Sequence, residues 1–165
     1  ITSSVGKHLF YRQHYELAME QFNKVLELDQ NFLYVHVFLG NMYAQQNKFD
    51  EAISEHQKVR QIVGSDDAFG MGYLGYAYAK AGKTNEAIKV LNQLLEFSKK
   101  GLTFSVQIAC VYAGLKDKDK AFEWLENAYN EHERTLGSLK VTPIWSNLRS
   151  DPRYTAMLKK MGLEK

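Results

Sequence analysis

A small residue recurs along the chain at an almost constant interval, and an alanine follows each one 12 positions later. The first members of these pairs are Gly6, Gly40, Gly75 and Ala109, and the second members are Ala18, Ala52, Ala87 and Ala121. Successive pairs are 34, 35 and 34 residues apart. A fixed period of this length is typical of an array of like supersecondary units. The chain is therefore predicted to contain four copies of one unit.

Each unit has two apolar-periodic segments of helical rather than strand type, with a short polar break between them. The breaks lie at Arg12–His14, Gln45–Lys48, Ala81–Thr84 and Lys116–Asp119. The only prolines, Pro143 and Pro152, lie beyond the units, so none interrupts the predicted helices. Each unit is therefore predicted to be a helical hairpin. The four units are expected at about 1–32, 33–67, 68–101 and 102–135, with an extra residue lengthening the turn near Gly64 to Asp67.

The recurring small residues lie within apolar stripes. On the second helix, Ala18, Phe22 and Val25 follow each other at spacings of 4 and 3, which places them on one face. A glycine inside a helix costs about 1 kcal/mol relative to alanine. Three glycines at the same register of the first helix therefore predict that the backbones of paired helices approach each other closely.

The tail is predicted to be a separate capping element over residues 143–162. Asp151 and Pro152 are typical of a helix start, and Gly162 after two lysines is typical of a helix end. The apolar residues of this helix share one stripe, and others are expected to tuck beneath it as a helical turn: Tyr154, Met157, Leu158 and Met161 in the helix, then Ile144, Trp145 and Leu148.

The motif Leu-Gly-x-x-Tyr-Ala, at Leu39–Ala44 and again at Leu74–Ala79, resembles the tetratricopeptide repeat. This resemblance extends over residues 1 to about 135, although His36, Met71 and Ser105 stand where the motif favours tryptophan. It implies an all-α fold, a right-handed α-solenoid of four helical hairpins plus the C-terminal capping helix, in one domain over residues 1–165. The tail resembles the end of tetratricopeptide regions in multidomain bacterial regulatory proteins.

In such a solenoid the first helices line a concave surface, where a protein or peptide partner is expected to bind. The expected groove residues are Lys7, Tyr34, Val37, Asn41, Gln45, Phe69, Tyr73, Tyr76, Lys80 and Val106, with Phe10, Gly72, Thr103 and Cys110 nearby. Tyr34, Phe69 and Tyr73 could instead pack against a neighbouring hairpin.

A subset of the family grips a partner's terminal carboxylate with lysines, an arginine and asparagines. Asn41 matches that pattern and Lys7 roughly fits it, but Phe38, Phe69 and Tyr73 stand where polar or basic residues would be required. The carboxylate clamp is therefore rejected for this chain.

The sequence offers no signature of catalysis, cofactor binding or metal binding. It has no Gly-rich phosphate loop and no His-Glu-x-x-His, and its five histidines form no metal spacing with each other or with Cys110. Glu131, His132 and Glu133 are expected at the surface, pointing in different directions from a helix. The net charge of +2 is spread along the chain, which argues against nucleic-acid binding. No enzyme activity and no cofactor or metal are predicted.

Three kinds of function remain open. The first is a protein-interaction scaffold, and the second is a regulatory or self-association module of a larger bacterial signalling or transcription-regulating protein. The third, a small-molecule sensor, would need a closed pocket.

Because the chain begins inside a repeat, we expect a piece of a longer protein, with Val5, Leu9 and Phe10 as an adhesive edge for a homo-oligomer. No apolar run is long enough for membrane insertion, and a cytoplasmic location is expected.

Overall fold

A computed structural model describes residues 2–64 and 68–164. These residues form nine α-helices, two 3₁₀ helices and no strand, so the predicted all-α class built from helical hairpins is confirmed. The helices are α1 (Thr2–Tyr11), α2 (Tyr15–Leu28), α3 (Leu33–Gln45), α4 (Phe49–Val63), α5 (Met71–Lys80), α6 (Thr84–Lys99), α7 (Ser105–Gly114), α8 (Lys118–Asn130) and α9 (Pro152–Lys160), with 3₁₀ turns at Arg134–Ser138 and Pro143–Trp145. The lengthened turn expected near Gly64 falls largely on residues 65–67, outside the described residues.

The turn inside each hairpin has the same backbone conformation. One residue of each turn has a positive φ: Gln13 (62°), Asn47 (60°), Gly82 (76°) and Lys116 (65°). In all four turns the next residue donates its N–H to the carbonyl five positions back, at 2.9 to 3.0 Å. This is the bond pattern of a Schellman motif, which satisfies the carbonyl groups left open at a helix end. The four turns therefore repeat at the same 34, 35 and 34 intervals as the glycine–alanine pairs.

The chain divides into two compact units, residues 1–70 and 71–165, here called unit 1 and unit 2. Unit 1 contains α1 to α4, in which α1 pairs with α2 and α3 pairs with α4. Its core is aromatic: Phe38 lies 5.3 Å from Phe10 and stacks on Phe22 at 5.5 Å, measured between ring centroids. Since Phe38 comes from α3 and the other two rings from α1 and α2, this cluster joins the first hairpin to the second.

The glycines of the first helices in unit 1 receive a side chain from the paired helix. A methyl group built on Gly6 would lie 2.5 Å from Phe22 Cε1, and one built on Gly40 would lie 2.5 Å from His56 Cε1. Both rings are buried. The expected reason for these glycines, a close approach of two backbones, is therefore wrong here, because each glycine forms a notch for a ring.

Unit 2 is organised around α7, which packs against α5, α6 and α8. A helix apolar on all sides is expected in the centre of a domain, and most of α7 is buried. Backbones do approach closely in this unit, but at Gly72, where a methyl group would lie 2.7 Å from Gln107 Cα on α7. Gly75 instead faces the side chains of Val90 and Val111.

The C-terminal helix α9 has the features that the sequence predicted. The Asp151 carboxylate accepts the N–H of Arg153 at 3.0 Å, and Pro152 occupies the first helical position. On the α8 side, the Arg153 guanidinium lies 4.4 Å from the centroid of the Phe122 ring and forms an ion pair with Asp119 at 2.8 Å. The residues expected beneath α9, Ile144, Trp145 and Leu148, are all buried.

Candidate functional site

In unit 1 the expected groove residues differ in their access to solvent. Lys7 is exposed, Gln45 and Phe69 are half-buried, and Val37 is buried. Tyr34 is the most accessible aromatic residue of the set, with 57% of its surface exposed. The accessible members of the set in unit 1 are therefore Lys7, Tyr34, Gln45 and Phe69, of which two are aromatic.

Tyr34 and Phe69 form an aromatic pair at one end of α3. Their ring centroids are 5.9 Å apart and the rings are nearly perpendicular, at 86°. Edge-to-face packing of this kind stabilises a pair of rings beyond the burial of their surface. Because Tyr34 remains mostly exposed, the pair offers solvent a fixed aromatic surface.

Asn41 lies two helical turns further along α3 and is almost fully covered, with 9% of its surface exposed. Among the described residues its side-chain amide has no hydrogen-bond partner. Its side-chain nitrogen and oxygen are not among the fully buried polar atoms that lack a hydrogen-bond partner, so they remain within reach of water or of a ligand. Asn41 and Gln45 are therefore two amides of α3 whose side chains form no hydrogen bond among the described residues.

In unit 2 most of the expected groove residues are less accessible to solvent than in unit 1. Lys80 is exposed and Tyr73 is half-buried, whereas Tyr76 and Val106 are buried. Burial raises the pKa of Tyr76 to about 12, with a smaller contribution from Cys110. Tyr76 Cα also lies 3.0 Å from the position that a methyl group on Gly114 would occupy. Tyr76 and Val106 therefore contribute to the packing of α5 and α7.

Three of the neighbouring residues expected to line the groove belong to the packed interior. Phe10 is buried in the aromatic core of unit 1, so its expected place in the groove and at an adhesive edge is wrong. Gly72 packs against the backbone of α7. Cys110 is buried, and desolvation, assisted by the charge of Glu133, raises the pKa of its thiol.

Two buried histidines occupy the second hairpin. His36, at a position where the motif favours tryptophan, contacts the Gln30 carbonyl through Nε2 at 2.8 Å and the Glu55 carboxylate through Nδ1 at 2.6 Å. Lys58 also donates to Glu55, at 2.7 Å. His56 fills the notch at Gly40, and burial lowers its pKa from 6.5 to about 3. At position 36, the hydrogen bonds of the histidine ring thus take the place of the apolar contacts that a tryptophan would form.

The carboxylates of Glu131 and Glu133 serve a structural role that the sequence did not reveal. Helix α8 ends at Asn130, and both carboxylates reach the start of α7. Glu131 accepts the Ser105 hydroxyl at 2.6 Å, while Glu133 accepts the N–H groups of Ser105 and Val106. The expectation that these side chains diverge from a helix is wrong, because His132, with φ of 55°, reverses the chain between them.

Residues 2–64 and 68–164 contain no group of three or more His, Cys, Asp or Glu side chains arranged to hold a metal ion. Within the same ranges, none of the helices has both the length and the apolar character required to cross a membrane.

The fold and this surface define an all-α protein made of helical hairpins. Residues 74–100 and 103–130 match the family model of the tetratricopeptide repeat. These segments correspond to the pairs α5–α6 and α7–α8. The match supports the assignment of these two hairpins to the tetratricopeptide repeat family. A comparison with curated proteins gives no match.

Proposed function

We propose that this chain is a protein-interaction scaffold whose first helices bind a peptide segment of a partner. Tetratricopeptide repeats generally mediate protein–protein interaction and are typically non-enzymatic. The observation that carries the proposal is the Asn41 side chain on α3, a residue with 9% of its surface exposed whose amide has no hydrogen-bond partner among the described residues. A peptide backbone would supply both the donor and the acceptor that an asparagine amide can bind.

The test is selection of displayed random peptides on the full chain, followed by affinity measurements with variants. Asn41→Ala is expected to weaken the selected peptides at least tenfold, since it removes two hydrogen bonds of about 1 kcal/mol each and a tenfold change corresponds to about 1.4 kcal/mol. The matched control is Asn92→Ala on α6, where the asparagine is exposed on a second helix. Equal effects of the two substitutions, with both variants folded by circular dichroism, would contradict the proposal.

A second candidate is a regulatory self-association module of a larger bacterial signalling protein. Two apolar residues of the first hairpin favour it, because Val5 and Leu17 expose 44% and 51% of their surface. Light scattering over a concentration series tests it. An average mass that rises with concentration in the original chain, but not in a Val5→Glu, Leu17→Glu variant, would support self-association. A constant monomer mass in both proteins would exclude it.

A further inference from the structure

A basic residue of α9 is held by an acidic and an aromatic side chain of α8. The Arg153 guanidinium pairs with the Asp119 carboxylate at 2.8 Å and lies 4.4 Å from the centroid of the Phe122 ring. Asp119 and Phe122 are three positions apart, so they are neighbours on the surface of α8. An ion pair and a cation–π contact therefore act on the same cation.

The same arrangement recurs seven residues further along both helices. Lys160 pairs with Glu126 and lies 4.3 Å from the centroid of the Tyr129 ring. Seven residues are about two helical turns, or about 10 Å, so the second site lies on the same face of α8 as the first. Because the two sites follow in the same order on both helices, α9 runs parallel to α8. We call them the two cation sites, at Arg153 and at Lys160.

Apolar packing between α8 and α9 is limited to few side chains. Within α9 the buried residues are Tyr154 and Met157. Tyr154 is anchored outside α8, because its hydroxyl donates to the Leu139 carbonyl at 3.0 Å. A cleft of about 440 Å³ remains between α8 and α9, lined by Phe122, Met157 and charged side chains of both helices. The two cation sites therefore supply much of the contact between these helices.

The charged groups of both sites are open to solvent. Their side chains keep between 41% (Lys160) and 89% (Asp119) of their surface exposed. Salt screens exposed charges, and the Debye length falls from about 10 Å at 0.1 M to about 3 Å at 1 M. The contact between α8 and α9 should therefore weaken as the salt concentration rises, whereas the apolar core of unit 2 does not depend on charge.

We propose that α9 is a displaceable helix, and that the face of α8 beneath it binds a helix of a partner protein in its place. The partner helix would carry two basic residues seven positions apart and an apolar residue four positions after the first, as Arg153, Met157 and Lys160 do in α9. Its basic residues complement the carboxylates of α8, and an amphipathic helix binds through one face. This surface lies on a second helix, so the inference is independent of the function proposed for the first helices.

Hydrogen exchange of the full chain tests whether the cation sites hold α9. Asp119→Asn together with Glu126→Gln removes both carboxylates and leaves the sequence of α9 unchanged. We expect the amides of α9 to exchange at least tenfold faster in this variant and in 1 M sodium chloride, while unchanged protection of α7 shows that unit 2 stays folded. The matched control is Glu123→Gln on the same helix, where the carboxylate pairs with Lys120, and it should leave α9 as it is.

An exchange of charges separates docking of α9 from the stability of the helix itself. Arg153→Glu with Lys160→Glu should release α9. Adding Asp119→Lys and Glu126→Lys should restore much of its protection, because each ion pair is formed again with its signs reversed. Release that persists in the fourfold variant, or unchanged exchange after loss of the two carboxylates, would overturn the role of the cation sites.

A labelled peptide of residues 150–164 is the probe for a partner helix. Fluorescence anisotropy should show at least tenfold tighter binding to the Arg153→Glu, Lys160→Glu chain than to the original chain, in which α9 covers the face. A peptide with both basic residues replaced by glutamate should bind neither protein. Equal affinity for the two proteins, or binding that ignores the basic residues of the peptide, would overturn displacement. Release of α9 without binding of the peptide would overturn the partner site and leave α9 as a detachable cap.

Discussion

The four turns inside the hairpins each place one residue in the left-handed region, yet only Gly82 is suited to it by having no Cβ. Lys116 adopts the same conformation with an exposed side chain. Left-handed backbone costs a residue with a Cβ about 1 to 2 kcal/mol, and the greater freedom of glycine in the unfolded chain offsets part of any gain. The fourth turn, at Lys116, therefore carries backbone strain that the third turn, at Gly82, does not.

Lys116→Gly is accordingly expected to raise the free energy of unfolding by up to about 1 kcal/mol. The reverse change in the equivalent turn, Gly82→Lys, should lower it by a similar amount. Urea unfolding of the two variants and the original chain measures both effects. A Lys116→Gly variant less stable than the original would show that the lysine side chain stabilises the turn by another interaction.

His56 fills the notch at Gly40 in the second hairpin, as Phe22 fills the notch at Gly6 in the first. The burial of His56 has a consequence for stability in acid. Its pKa falls from 6.5 to about 3 in the folded chain. Between these two values the unfolded state binds a proton that the folded state does not, so stability decreases as the pH falls. The contribution of the neutral ring is fully present above about pH 6.5 and is lost progressively down to about pH 3.

Replacing His56 with phenylalanine should remove this dependence. The stability of His56→Phe relative to the original chain is expected to increase below pH 6, by up to about 1.4 kcal/mol per pH unit, and to stay constant from pH 7 to 8. Urea unfolding at a series of pH values measures the difference. His8→Gln, a change at an exposed histidine, should leave the pH dependence as it is. A difference that does not vary with pH would show that His56 is not held neutral.

At the scale of elements, the start of α7 is stabilised by a side chain from beyond α8. Glu133 accepts two backbone N–H groups there, and its negative charge faces the positive end of the helix dipole. The contact joins the first helix of a hairpin to the residues that follow its second helix. It therefore fixes α7 at the end opposite to the hairpin turn.

Glu133→Gln keeps the shape of the side chain and removes its charge, so it is expected to lower the free energy of unfolding by about 1 kcal/mol. Glu123→Gln serves as the control, because Glu123 pairs with Lys120 on the surface, where water screens an ion pair and leaves it little effect on stability. Thermal and urea unfolding compare the two variants. Indistinguishable losses would mean that the charge of Glu133 adds nothing to the cap.

The elements themselves were largely predictable, because hydrophobic period, polar breaks and caps depend on neighbouring residues. The sequence placed the helix breaks, the Asp151 cap and the buried Trp145 correctly. It did not reveal what each glycine faces, since Gly6 meets a ring and Gly72 meets a backbone through contacts between distant residues. For the same reason, periodicity put Tyr34 and Val37 on one face without showing that only the first is exposed.

At the scale of the whole molecule, unit 2 has the features of a body that can fold alone. It has its own buried core, which includes Ile108, Leu125 and Leu148, and its helix α7 is covered within the unit. In repeat proteins, stability is approximately a sum over units and the contacts of nearest neighbours. A fragment that keeps α5 to α9 together therefore retains the internal contacts of this unit.

The fragment 71–165 is expected to be helical and to unfold in one cooperative transition, followed by circular dichroism during heating. The matched fragment 84–165 lacks α5 and so removes the helix whose Gly72 lies against the backbone of α7. Because that removal uncovers one side of α7, the shorter fragment should melt at a lower temperature and with a broader transition. If both fragments melted alike, α5 would add little to unit 2. A fragment 71–165 without a cooperative transition would show that the unit depends on the rest of the chain for its stability.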